Sequence, residues 1–112
     1  MSDRQPKLLL EDILDSIQKI ISYTNNQSFE EFIADSKTID AVIRNFEIIG
    51  EAAGRLSEAI QQRHPIIEWR KMKAFRNLLI HQYFGVEYPL VGDIIQNTLP
   101  TMLSALQRID GD

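Results

Sequence analysis

No cysteine occurs in this chain, so neither a disulfide framework nor a thiolate metal site can be built. That absence suits a reducing cytoplasm, which is the expected location. Glycine and proline are scarce, with 5 and 4 residues respectively, and no repeats, linkers or low-complexity tracts appear. Long apolar runs are missing too. The amino terminus offers only Leu8-Leu9-Leu10 before Glu11, so neither a signal peptide nor a membrane span is expected. Positive charge does not predominate: 12 Lys and Arg face 16 Asp and Glu, for a net charge of −4, which argues against broad, unspecific coating of nucleic acid. There is no Gly-rich phosphate loop and no Gly-x-Ser-x-Gly nucleophile turn. A carboxylate-bridged metal site in a helical bundle needs Glu-x-x-His pairs. Neither His64 nor His81 has an acid three residues earlier, so no metal and no cofactor are expected.

What remains is an ordinary soluble composition, 44% apolar and 25% charged. At 112 residues it fits a single domain over 1–112 with its core in about 8–109, small enough for dimerisation to add useful stability. The charge is unevenly spread. From Arg63 to Arg76 there are five basic residues (Arg63, Arg70, Lys71, Lys73, Arg76) against one acid, Glu68, while acids concentrate between Glu11 and Asp40. A local basic face on an acidic body suits a small, selective anion site.

The apolar periodicity is helical throughout. Leu10, Ile13, Leu14, Ile17, Ile20 and Ile21 predict a helix over 8–23, with Asp15 and Lys19 as an outward pair. Ser28 with Glu31 predicts a capping box opening a short helix whose buried side is Phe29, Phe32 and Ile33. The longest helix is expected at about 37–62, on the stripe Ile39, Val42, Phe46, Ile49, Ala53, Leu56 and Ile60. Gly50, Ala52, Ala53 and Gly54 cost helix propensity there, which points to close backbone approach within the bundle or across a dimer. Arg44, Glu47, Glu51, Arg55 and Glu58 form a charge ladder along it. His64-Pro65 ends it, with His64 as an exposed cap residue. A further helix is expected at about 66–82, carrying Trp69, Met72, Phe75 and Leu79, with Gly85 as its stop. The last begins near Pro89 and is kinked or split by Pro100. The expected fold is all-α, an up-and-down bundle of four main helices with a short extra helix.

Residues 76–86 read Arg-Asn-Leu-Leu-Ile-His-Gln-Tyr-Phe-Gly-Val. They put a permanent cation (Arg76), a group titrating near neutrality (His81) and a phenol (Tyr83) close together. Arginine's planar fork suits phosphate oxygens, and histidine is the usual proton carrier at physiological pH. A cation beside a proton shuttle is what phosphodiester cleavage needs. On a straight helix Arg76 and His81 point about 140° apart. Either the helix loosens near Ile80 or the site is shared between two copies. Asn77 lies one turn before His81 and can hydrogen-bond its imidazole or a phosphate. Arg70 and Lys73 can position a strand through its phosphates without reading sequence.

The spacing Arg-x-x-x-x-His-x-Tyr resembles the signature of HEPN-domain ribonucleases, specifically the HepT-like toxin branch. Ala41-Val42-Ile43-Arg44-Asn45-Phe46-Glu47-Ile48-Ile49-Gly50-Glu51-Ala52-Ala53 resembles that family's second recurrent block, and the likeness runs from Trp69-Arg70 through Phe84-Gly85-Val86 and over most of residues 8–106. The resemblance implies a HEPN-like homodimer whose cleft carries Arg76 and His81 as catalytic residues, supported by Asn77, Tyr83 and Glu51, the last as a buttress of Arg76 or of the dimer contact. It implies metal-independent cleavage of RNA and a cognate minimal nucleotidyltransferase as antitoxin, with Tyr83 as the position where AMP is attached. A different reading makes the chain a non-catalytic helical substrate-binding subunit of such a nucleotidyltransferase. The intact Arg–His pair favours the nuclease, and a purely structural dimer leaves the polar helix end unexplained.

Overall fold

A computed structural model describes residues 4–77 and 87–109. Every regular element among them is helical: α1 (Pro6–Thr24), α2 (Phe29–Ile33), α3 (Ser36–Arg55), α4 (Glu58–Arg63), α5 (Trp69–Ala74), α6 (Tyr88–Asp93), a π-helical turn (Ile94–Thr98) and α7 (Leu99–Ile109). The all-helical reading therefore holds. None of the described helices is long and apolar enough to cross a membrane.

The two long helices carry the core. Ile13, Ile17 and Ile20 of α1 and Val42, Phe46 and Ile49 of α3 are fully buried, which is the three-and-four spacing laid against itself. The principal packing is α1 on α3, with α5 on α3 and α7 on α1. Met72 of α5 and Leu99 of α7 complete the same cluster. The rings of Phe46 and Phe75 meet edge to face at 4.9 Å, an arrangement worth about 0.5–1.5 kcal/mol beyond its area.

Two expected boundaries shift and one expected buried face is only partly buried, each for a local reason. The helix expected over 37–62 is two helices. Leu56 turns extended, and Ser57 starts a new helix by accepting the Ile60 N–H at 3.2 Å. Gln61 then reaches back, its Nε2 donating to the Ala53 and Leu56 carbonyls at 3.3 and 3.1 Å. The last carbonyls of α3 are thus satisfied by a side chain of α4, and Glu58 leaves the charge ladder for the first turn of α4. The helix expected from 66 opens at Trp69, whose Nε1 donates to the Gln61 and His64 carbonyls, both at 3.0 Å. That bond holds His64 half-buried at the end of α4 rather than fully exposed. In the short α2, only Phe32 is buried, whereas Phe29 and Ile33 are 40% and 39% exposed. A five-residue helix presents too narrow a face to bury all three.

Other expectations hold. The Ser28–Glu31 capping box forms, with bonds of 2.8 and 3.1 Å, and Asp15 pairs with Lys19 at 3.1 Å. Pro89 sits in the first turn of α6. Pro100 has no N–H to donate, and the ladder ahead of it slips into π register, the Leu99 N–H bonding to the Ile94 carbonyl five residues back. Leu79 and the stop at Gly85 lie outside the described residues.

Asp35 caps α3. Its carboxylate accepts from the Thr38 hydroxyl (2.7 Å), the Thr38 N–H (3.2 Å) and Gln27 Nε2 (2.9 Å), and these bonds hold its carboxyl below the usual value of 3.8. A depressed native pKa contributes stability above the unfolded value and loses it as pH falls through the native one. Asp35→Asn keeps a competent cap without the titration. In urea melts, the parent's advantage over Asp35→Asn should be present at pH 6 and vanish as pH drops below about 4. A pH-independent difference would contradict this.

Candidate functional site

Arg76 is placed by its two neighbours. Phe75 before it is buried in the core, and Gly50 of α3 lies beneath it. A Cβ on Gly50 would collide with Arg76 Cγ and would stand only 3.0 Å from Arg76 Cδ and 3.2 Å from its backbone nitrogen. Gly50 is itself buried. The aliphatic stem of Arg76 therefore lies across bare backbone of α3, and that close approach is the local reason for a glycine in mid-helix. Among the small residues, Ala52 and Ala53 are also buried. Gly54 faces open space instead, so its small size serves no contact among the described residues.

The guanidinium ends beside Glu51, with Nη2 at 3.9 Å from Oε1. Arg55 Nη2 approaches the other carboxylate oxygen at the same distance of 3.9 Å. Both separations exceed the roughly 2.7–2.9 Å of a charge-assisted hydrogen bond. Glu51 thus holds two cations loosely, and the Arg76 side chain stays 56% exposed. Among the described residues, no acceptor holds its donors at hydrogen-bond distance. Glu51 also lines an open cleft of about 250 Å³ with Arg4, Asp12, Arg44, Glu47 and Arg55. Within that cleft Arg4 pairs with Asp12 at 2.7 Å and Arg44 with Glu47 at 3.6 Å.

The helical ladder tightens just before the site. The N–H groups of Phe75 and Arg76 bond three residues back, to the carbonyls of Met72 (3.1 Å) and Lys73 (3.4 Å). The loosening expected near Ile80 lies outside the described residues; within them, α-helical register breaks at Phe75–Arg76, and Asn77 resumes helical geometry, exposed. Arg70 and Lys73 are exposed on α5, three residues apart and therefore on one face. Lys71 is engaged by Glu68 at 3.2 Å. His81 and Tyr83 lie outside the described residues. Among the described residues no three His, Asp or Glu side chains group closely enough to hold a metal ion.

Sequence reading named Arg76, Asn77 and Glu51 but missed the dependence of Arg76 on Gly50. The available signal was a glycine inside a strongly periodic helix. Nothing in the residue pattern said which distant side chain would fill the space it leaves.

Residues 13–109 match the family model described as "Ribonuclease HepT-like". Two proteins of Methanocaldococcus jannaschii, "Putative RNase MJ0127" and "Putative RNase MJ1380", are 38% and 39% identical over 112 and 109 residues. They are matched over 93% and 100% of their own lengths, against 100% and 97% of this chain. "Probable ribonuclease HepT" of Thermococcus cleftensis is 38% identical over 106 residues, 95% of this chain and 96% of that protein. No solved structure matches the chain. The described residues form an all-helical protein that carries a half-exposed guanidinium seated on a helix. The chain belongs to the HepT-like ribonuclease family.

Gly50→Ala should destabilise the protein by about 1–3 kcal/mol through overpacking. The loss should shrink by at least about 0.5 kcal/mol when Arg76→Ala removes the colliding stem. A double-mutant cycle in urea checks this, and strictly additive losses would show that Arg76 does not occupy the space above Gly50.

Proposed function

We propose that this ribonuclease cleaves RNA without a metal, using Arg76 and His81 in a cleft between two copies of the chain, and that it is the toxin of a toxin–antitoxin pair. The observation that carries the reading is the Arg76 guanidinium. It is seated on Gly50, half-exposed and only loosely held by Glu51, in a chain whose family is a ribonuclease family.

The chemistry follows from the groups. His81 takes the proton from a ribose 2′-hydroxyl, and the freed oxygen attacks the adjacent phosphorus. Arg76 exchanges its distant Glu51 partner for the extra negative charge of the pentavalent phosphorus, the kind of stabilisation that dominates many reactions. Proton return to the departing 5′-oxygen comes from His81 of the second copy, giving a 2′,3′-cyclic phosphate and a 5′-hydroxyl end. Asn77 supports the imidazole or a phosphate, and the exposed Arg70 and Lys73 hold the strand.

The HEPN arrangement completes the proposal. Four main helical members form the bundle: α1, α3, the stretch opened by α5, and the α6-to-α7 run. Two such bundles pair as a cytoplasmic homodimer. A minimal nucleotidyltransferase neutralises the nuclease by attaching AMP at Tyr83. The added phosphate brings negative charge to the motif that carries Arg76 and competes with RNA.

Purified protein incubated with single-stranded RNA in EDTA should yield cyclic-phosphate ends, while the same strand with 2′-deoxyribose stays intact. Arg76→Ala and His81→Ala should each lower the rate by about 100-fold or more. Equal cleavage by parent and variants would place the activity elsewhere. A solution mass showing only monomer at micromolar concentration would rule out the shared cleft.

A further inference from the structure

At the opposite end of α3 from Arg76 lies an open cavity of about 430 Å³, between the turn after α1, the short α2, and the α6–π segment. Its volume is that of a small-molecule site. Among the described residues no basic side chain lines it, so these residues are not built for phosphate. Its polar lining combines the Asp93 carboxylate with the amides of Gln27, Gln96 and Asn97. Among the described residues the buried Gln27 side-chain oxygen has no hydrogen-bond partner, while its nitrogen donates one bond, to Asp35. Among the described residues Asp93 accepts one bond, from Asn97 Nδ2 at 2.6 Å, and a carboxylate can accept more. Ile95 and Gln96 also line the cavity, and Pro100 cannot supply the ladder donor that one of their carbonyls would take. Phe29, expected in the core, stands 40% exposed at the same cavity.

We propose that this cavity binds a single unstacked base of the RNA substrate, and that the base is guanine, read by the Asp93–Asn97 pair beside Phe29. Guanine's outer edge sets an acceptor, O6, next to two donors, N1–H and the exocyclic amine. A carboxylate hydrogen-bonded to an amide presents the complementary pattern: Asp93 takes the donors, and the second amide hydrogen of Asn97 meets O6. Aromatic faces receive bases displaced from a single strand. A guanidinium from a basic protein segment would satisfy Asp93 equally well, but it carries only donors and leaves that Asn97 hydrogen without an acceptor. Gln27 is tied to Asp35, the cap of α3, and Gly50 lies fifteen residues along that helix, on the order of 22 Å away. A few nucleotides of single strand bridge that gap. The inference takes RNA as substrate class from the reading above but needs neither Arg76 nor His81 to be catalytic.

The test is a titration of the full chain with GMP, IMP, AMP and arginine amide, followed through backbone amide NMR signals. GMP and IMP differ only in the exocyclic amine, so any phosphate contact cancels between them. GMP should move the signals of Phe29, Asp93 and Asn97 and bind about ten-fold more tightly than IMP. Asp93→Asn, which keeps the shape, should abolish that preference, and Asn97→Ala should weaken GMP. Arg76→Ala and His81→Ala should leave the preference intact, which separates this site from the cleavage reading. Equal affinity for GMP and IMP, a preference that survives Asp93→Asn, or shifts confined to other residues would overturn the proposal. Tighter binding of arginine amide would overturn it in favour of a docking pocket for a basic peptide.

Discussion

The side chain that Gly50 lacks is the constraint on which the candidate site depends. Because α3 is bare at that one position, the stem of Arg76 can lie flat across it, and its charged end reaches Glu51 on the neighbouring residue of the same helix. Phe75 supplies the second anchor, buried and edge-on to Phe46. A long, rotamer-rich cation would otherwise lose considerable entropy on being positioned. Here packing along the stem offsets part of that cost, and the head stays half-exposed.

Electrostatics explains how an acidic chain can meet a polyanion. With a net charge of −4 the molecule repels nucleic acid at long range, and binding must come from local cations. Several arginines are already engaged: Arg4 by Asp12 at 2.7 Å and Arg44 by Glu47 at 3.6 Å. Arg76 and Arg55 share one carboxylate at 3.9 Å each. Such exposed, long pairs contribute little to stability, so giving one up to a phosphate costs little. The neighbouring Arg70 and Lys73 are exposed on one face of α5, so the basic character is concentrated where the chain leads into Arg76.

Segmentation of the helices shapes the rest of the surface. Ser57 restarts the chain after α3, Gln61 closes the end of α3, and the Trp69 indole ties α5 to the end of α4. Those three side chains let a tight reversal carry α5 back onto α3 without stranding backbone carbonyls. Near the other end, Pro100 pushes the preceding turn into π register. That turn forms one wall of the cavity at α2, where Phe29 and the Asp93–Asn97 pair stand together.

The residues by themselves determined the helical class, α1 to within two residues at each end, the Ser28–Glu31 box and the disturbance at Pro100, because each is set by local periodicity or by bonds between near neighbours. The motif containing Arg76 was legible as well, since its spacing is a property of the chain, though His81 and Tyr83 fall outside the described residues. The stripe from Leu56 to Ile60 masked the break at Ser57, because apolar periodicity continues through a change of helix axis while a cap is only one residue. Phe29 and Ile33 read as core because nothing local says how narrow a face a five-residue helix can bury. Only the tertiary structure decided what crosses Gly50, how far Arg76 stands from Glu51, and that Gln27, Phe29, Asp93 and Asn97 line one cavity. Those facts depend on which elements pack together, and contacts between residues tens of positions apart leave no period in the sequence to read.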